Sequence, residues 1–289
     1  MHTQDRTVQT RHAEIRVRES AGKGFPLLMI HGSGASKDVF ARQFAMPMAE
    51  RHRFVAIDLP GHGESTDAVV PAESYTIHGF SLAVGEVLDK LGIAECAVYG
   101  WSLGGHVGIE LLSWNKAVAG LMITGTPPIP RGPFGMLRGF QTHRDVFLAS
   151  KPVFTDEEAQ RFAKVCYAGT GAPEFVDGIK RADGRARKIL TGGMWRGHGA
   201  DQKRTLEETD VPVAVINGAE EPFARLGYVS SIDYGNLWDH KCYALEGLGH
   251  APFWQSPETF NPLLERFVAD VTAFAAHRAA EPRKLARAG

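Results

Sequence analysis

Ser102 is the serine in this chain whose setting suits a nucleophile. It lies in Gly100-Trp101-Ser102-Leu103-Gly104, a G-x-S-x-G spacing. Residues 95–99 before it form a short apolar run suited to a buried strand, and residues 103–114 after it repeat apolar side chains at helical spacing. A serine on such a corner is held at positive φ with its hydroxyl out above the sheet. Glycines two residues either side keep the neighbouring backbone clear. The helix start also offers free N–H groups to a developing negative charge. A serine hydroxyl still needs a base within hydrogen-bond reach, itself oriented by a third group. Two late loops supply candidates: Glu220-Glu221-Pro222 after a β-branched run at 211–216, and Gly249-His250-Ala251 after 241–245. Adjacent glutamates point in different directions, so one of the pair reaches His250. Glu221 is the choice, because Pro222 fixes the backbone beside it. His250, in the loop after the last strand, is the expected base.

These loops need a sheet to bring them together. Residues 13–19 alternate apolar and charged, residues 25–30 are continuously apolar, and further strand candidates run over 53–57, 95–99, 118–124, 211–216 and 241–245. Helical patterns occupy 77–91, 103–114 and 257–276. Alternation of this kind implies a largely parallel sheet covered by helices, with ligand-binding loops at one edge. The glycine-rich His31-Gly32-Ser33-Gly34 leaves the second strand. It reads either as an ordinary strand-to-helix turn or as half of an oxyanion hole with the Ser33 amide as donor. His31 is read as a packed structural histidine, and Asp58 and His62 in Asp58-Leu59-Pro60-Gly61-His62-Gly63 as loop-building residues.

From Thr126-Pro127-Pro128 to about Thr209 there is no good strand candidate. The chain therefore divides into a first core part (1–126), a helical insertion (127–209) and a second core part (210–289) with a basic tail from Ala279. One insertion helix announces itself by the capping box Thr155-Asp156-Glu157-Glu158. Phe134, Met136, Leu137, Phe140, Phe147, Phe154, Phe162, Met194 and Trp195 are candidates to line an apolar pocket, against the alternative that they pack the insertion onto the core.

Composition narrows the class. The 289 residues carry a net charge of −1, 44% apolar and 22% charged residues, which favours neither nucleic acid nor an anionic membrane as partner. The polar N-terminus lacks a signal-peptide core, and no apolar run approaches bilayer length. Cys96, Cys166 and Cys242 are scattered without metal-type spacing. A cytoplasmic, disulfide-free chain is expected, with a small molecule as its partner.

The chain resembles the α/β-hydrolase superfamily through His31-Gly32, Asp58-Leu59-Pro60-Gly61-His62-Gly63-Glu64-Ser65, Gly100-Trp101-Ser102-Leu103-Gly104-Gly105 and Gly249-His250. More narrowly it is similar to the N-acyl-homoserine lactonases of the AidH type. That likeness rests on residues 100–110 and 121–128, Asp183-Gly184-Arg185-Ala186-Arg187, Asn217 with Glu221-Pro222-Phe223, Gly235-Asn236-Leu237-Trp238 and Gly249-His250-Ala251-Pro252-Phe253. The resemblance implies an α/β-hydrolase fold with a helical cap, Ser102 as nucleophile, Glu221 as acid, His250 as base, and the amides of Ser33 and Leu103 as oxyanion donors. It implies lactone opening without metal or other cofactor; the dense H-x-H-x-D-H cluster of the metal-dependent route is absent. Candidate substrate contacts are Gly32, Trp101, Phe140, Phe162, Met194 and Trp195. The relatives carry asparagine where this chain has Ser33 and a tyrosine near Phe162, two changes at the substrate. A small-ester or C–C bond hydrolase with the same triad, or a ligand receptor on this fold, are the alternatives. Haloalkane dehalogenases and epoxide hydrolases need aspartate where this chain has Ser102.

Overall fold

The computed structural model describes residues 2–142, 145–169 and 173–280; the end of the basic tail lies outside them. Eight strands form one sheet in the order β1-β2-β4-β3-β5-β6-β7-β8. They are β1 (Thr3–Gln9), β2 (Glu14–Ser20), β3 (Gly24–Ile30), β4 (His52–Ile57), β5 (Cys96–Trp101), β6 (Val118–Thr124), β7 (Val213–Gly218) and β8 (Tyr243–Leu245). Strands β4, β3, β5, β6, β7 and β8 run parallel to their neighbours, while β2 is antiparallel to β4 and to β1. The sheet is therefore mostly parallel, as the apolar runs of β3, β5, β6 and β7 imply for strands buried on both faces.

Strand β1 is the element that hydrophobic patterning misses. Thr3-Gln4-Asp5-Arg6-Thr7 has no apolar face; the strand pairs with β2 along its whole length, and charged side chains bridge the two. Arg18 on β2 donates from Nε and Nη2 to the Asp5 carboxylate, both at 2.8 Å, and Arg6 pairs with Glu19 at 2.5 Å. A charged edge strand also deters pairing with another sheet.

Alternate residues along each strand feed two cores. Leu28, Ile30, Val98 and Ile123 pack with the helices Ile77–Lys90 and Leu103–Leu112, whereas Met29, Tyr99, Met122 and Ile216 pack under Pro257–Ala280. Between β6 and β7 the described chain is helical: Pro133–Gly139, Asp156–Cys166, Pro173–Arg181, Gly184–Trp195 and Gln202–Glu208. Thr155 caps one of these in the expected way, its Oγ1 accepting from Glu158 N (3.2 Å) while Glu158 Oε2 accepts from Thr155 N (2.9 Å). No helix among the described residues is long and apolar enough to cross a membrane.

The loop after β4 is built on buried polar groups. Asp58 accepts from the backbone of Lys37 (2.6 Å) and Glu64 (2.9 Å). His31 donates from Nδ1 to the Gly32 carbonyl (2.7 Å) and accepts at Nε2 from Leu59 N (3.0 Å). His62 donates from Nδ1 to the Pro60 carbonyl (3.0 Å), and its buried Nε2 has no partner among the described residues. Burial holds His31 down at about 4 and His62 at about 3, and does the same to His106 in the Leu103–Leu112 helix, at about 4. All three are neutral in the fold, while an unfolded chain titrates near 6.5. The stability this represents is complete above pH 6.5. It falls as pH drops toward 4, because only the unfolded chain gains the protons. Each pH unit in that window costs about 1.4 kcal/mol per histidine. Urea midpoints are expected to fall steeply from pH 6.5 to 4.5; a flat profile would mean these imidazoles accept protons in place.

Candidate active site

Ser102 sits at φ 55°, ψ −117° at the start of the Leu103–Leu112 helix. The corner is tied to the end of β6: Ser102 N–H donates to the Thr124 carbonyl (2.8 Å), and the Ser102 carbonyl accepts from Thr126 Oγ1 (2.8 Å). The two glycines of the motif are close-approach positions. A Cβ on Gly100 would lie 2.4 Å from the Gly104 carbonyl oxygen, and one on Gly104 would lie 1.9 Å from that of Ile30. Gly104→Ala must push the helix off β3, at a cost of about 3 kcal/mol or more. A shift below about 1 kcal/mol in chemical denaturation would show that the helix can slide without loss.

His250 and Glu221 are joined at the neighbouring loops. His250 Nδ1 lies 2.9 Å from Glu221 Oε1 and 2.8 Å from Oε2. An ionised carboxylate only accepts, so in the neutral imidazole Nδ1 carries the proton and Nε2 is left as an acceptor. Glu221 is itself held in place, Oε1 accepting from the amides of Phe223 (2.8 Å) and Ala224 (3.2 Å). The imidazole is wedged between Phe223 and Trp101, with ring centroids 4.6 and 5.4 Å away. Trp101 Nε1–H donates to the His250 carbonyl at 2.8 Å. Gly125, at φ 64°, makes room for the ring: a Cβ there would touch His250 Cε1 at 2.5 Å. Glu220 is exposed, its amide spent on the Leu248 carbonyl.

A cavity of about 270 Å³ opens above Ser102. Gly32, Ser33, Trp101, Ser102, Leu103 and His250 line it from the sheet edge, and Phe140, Phe162, Met194 and Trp195 from the helical segment. Glu221 stands behind His250, outside the lining. Among the described residues Ser102 Oγ makes no hydrogen bond to His250; the two are walls of one cavity. The amides of Ser33 and Leu103 likewise donate to no other group among the described residues, Leu103 being the first residue of its helix. Met136, Leu137 and Phe147 also reach the cavity.

Two aromatic candidates do not. Phe134 is 78% exposed on the outer face of its short helix. Phe154 packs on Phe162, centroids 5.5 Å apart, with the Arg187 guanidinium 4.6 Å over its face. Arg187 is buried and spends its donors on the carbonyls of Lys151 (2.8 Å) and Pro152 (3.3 Å), so Phe154 serves the packing of the helical segment. Conversely, Phe223, Leu190 and His106 line the cavity and were not among the candidate contacts, although Phe223 follows Glu221-Pro222 directly. His106 carried a signal too, standing four residues after Ser102 at the start of the helix that follows it.

The alpha/beta hydrolase family model matches residues 27–263. The chain is 41% identical to N-acyl homoserine lactonase AidH in its complex with N-butanoyl homoserine, at a TM-score of 0.90 over 93% of this chain and 97% of that one. It is similar at 22% identity to a 2-hydroxy-6-oxononadienedioate/2-hydroxy-6-oxononatrienedioate hydrolase of Pseudomonas sp, over 89% of this chain and 93% of that one. A putative aryl esterase from Burkholderia cenocepacia shares the fold, with 20% identity and a TM-score of 0.76 over 93% of this chain and 100% of that one. The strand-to-helix serine corner, the His250–Glu221 pair and the mostly parallel sheet that carries them thus come together in a chain that belongs to the alpha/beta hydrolase family.

Proposed function

We propose that this protein opens the lactone ring of N-acyl-homoserine lactones through a Ser102–His250–Glu221 triad. The observation that carries the reading is the 41% identity to AidH over 93% of the chain, a span that includes the helical segment as well as the sheet. Substrate choice in this family lives in that segment, and fold alone does not fix it. The apolar cavity wall from Phe140, Phe162, Met194 and Trp195 suits an acyl chain, with residues 127–209 acting as a cap.

Ser102 Oγ attacks the lactone carbonyl as His250 Nε2 takes its proton, and Glu221 holds the imidazole with Nδ1–H toward itself and steadies the imidazolium. The tetrahedral oxyanion rests on the amides of Ser33 and Leu103, each worth about 3 kcal/mol. His250 then returns the proton to the ring oxygen, which leaves as a hydroxyl still tethered to the acyl-enzyme. Water, deprotonated by His250, releases the acyl-homoserine by the same route. In the cytoplasm such an activity removes a diffusible signal, which is quorum quenching.

The test is acid release from hexanoyl-homoserine lactone and from p-nitrophenyl butyrate, each with and without chelator. Fast, chelator-resistant lactone opening is expected. Ester cleavage with an inert lactone would instead make the protein a carboxylesterase, and tight lactone binding without turnover would make it a receptor.

A further inference from the structure

His106 is a polar group in the cavity wall that the triad does not use. It stands one helical turn beyond Ser102, about 6 Å along the axis, buried, with its ring 5.9 Å from that of Phe140. Nδ1 lies 2.7 Å from Gln202 Oε1, an oxygen that only accepts, so Nδ1 carries the proton and Nε2 holds a lone pair. Burial keeps the ring neutral, at about 4. Nε2 has no partner among the described residues and yet is not among the sealed, unsatisfied atoms. For a residue that lines this cavity, that leaves Nε2 facing the cavity. Phe140 packs beside the ring, and the lining of the cavity is mostly apolar, with Met136, Leu190 and Met194 among the apolar residues and Gln141, Thr142, Ser150 and Thr191 among the polar ones.

We infer that Nε2 of His106 accepts a hydrogen bond from a hydroxyl on the acyl chain, so that 3-hydroxyacyl-homoserine lactones are the preferred substrate class. This rests on the lactonase reading of the same cavity. With the ring carbonyl at Ser102, the substrate's amide N–H is only two bonds away, beside the reacting centre. The third acyl carbon is five bonds away, about 6 Å in an extended chain, on the order of the backbone rise of one helical turn, so a substituent there lies clear of Ser102 on the same cavity that His106 lines. A 3-oxo group there would set acceptor against acceptor, and an unsubstituted chain would leave a buried lone pair unmet, an outcome that costs more than a hydrogen bond gains. Gln202 is a positioning residue: it decides which nitrogen of His106 bears the proton.

The test compares kcat/KM for hexanoyl-, 3-oxohexanoyl- and 3-hydroxyhexanoyl-homoserine lactone. The wild-type protein is expected to favour the 3-hydroxy over the 3-oxo substrate about tenfold. His106→Leu brings that ratio close to one. Gln202→Leu frees the ring to carry its proton on Nε2 and shifts the ratio toward the 3-oxo substrate. The wild-type ratio is decisive even where a variant fails to fold. Equal rates on the two substituted lactones, as a contact to the shared amide N–H would give, overturn the inference alone. Inertness toward all three lactones with ester cleavage intact overturns the lactonase reading and this inference with it.

Discussion

Ser102→Ala is expected to lower kcat/KM for hexanoyl-homoserine lactone by roughly 10³-fold or more while leaving the fold intact. The removed atom, Oγ, makes no hydrogen bond among the described residues, and alanine keeps the Cβ that the corner already accommodates. Stability should therefore stay within about 0.5 kcal/mol of the parent, read from the urea midpoint. The amides of Ser33 and Leu103 remain in place, so a trace of water-driven hydrolysis survives in the variant, as it does when other triads lose their nucleophile. Lactone affinity should persist, since the apolar wall is untouched; isothermal titration on the variant measures it directly. Retention of more than about a tenth of the parent rate would rule Ser102 out as nucleophile.

Glu221→Gln is expected to cost about 10²- to 10⁴-fold in kcat, and Glu220→Gln less than about twofold. The reason is a tautomer. The amides of Phe223 and Ala224 both donate to Glu221 Oε1, so a glutamine there keeps its oxygen toward them and turns its NH₂ toward His250. An NH₂ group can only donate, which forces Nδ1 of His250 to accept and moves the ring proton to Nε2. That nitrogen then cannot take the proton of Ser102. Volume and packing barely change, so the midpoint of unfolding separates this effect from a structural one. Glu220 is exposed and its side chain has no part in the arrangement. The reverse ranking of the two variants would transfer the acid's role to Glu220.

The sheet from β3 to β7 and the placement of the serine, glutamate and histidine loops at its edge were legible in the amino-acid order alone. Buried parallel strands are continuous apolar runs, and a glycine-flanked serine between strand and helix leaves few alternatives at positive φ. The capping box at Thr155 was equally readable, because a cap is a contact between residues three apart. Strand β1 was not, since it is held by its backbone ladder to β2, with Asp5–Arg18 and Arg6–Glu19 pairs across it, rather than by an apolar face. Glu221 was chosen over its neighbour from the proline that follows it, and it is Glu221 that meets His250; the amides of Phe223 and Ala224 that fix its carboxylate belong to a local turn that no spacing rule encodes. The cavity was the least readable feature. Phe134 and Phe154 look like Phe140 and Phe162 in sequence, yet the first faces solvent and the second lies under Arg187. The reason is that a helical segment can bury the same apolar residues inward on the sheet or sideways on its own helices. Only the packing of helix against helix, through groups as far apart as His106 and Gln202, decides which side chains line the cavity.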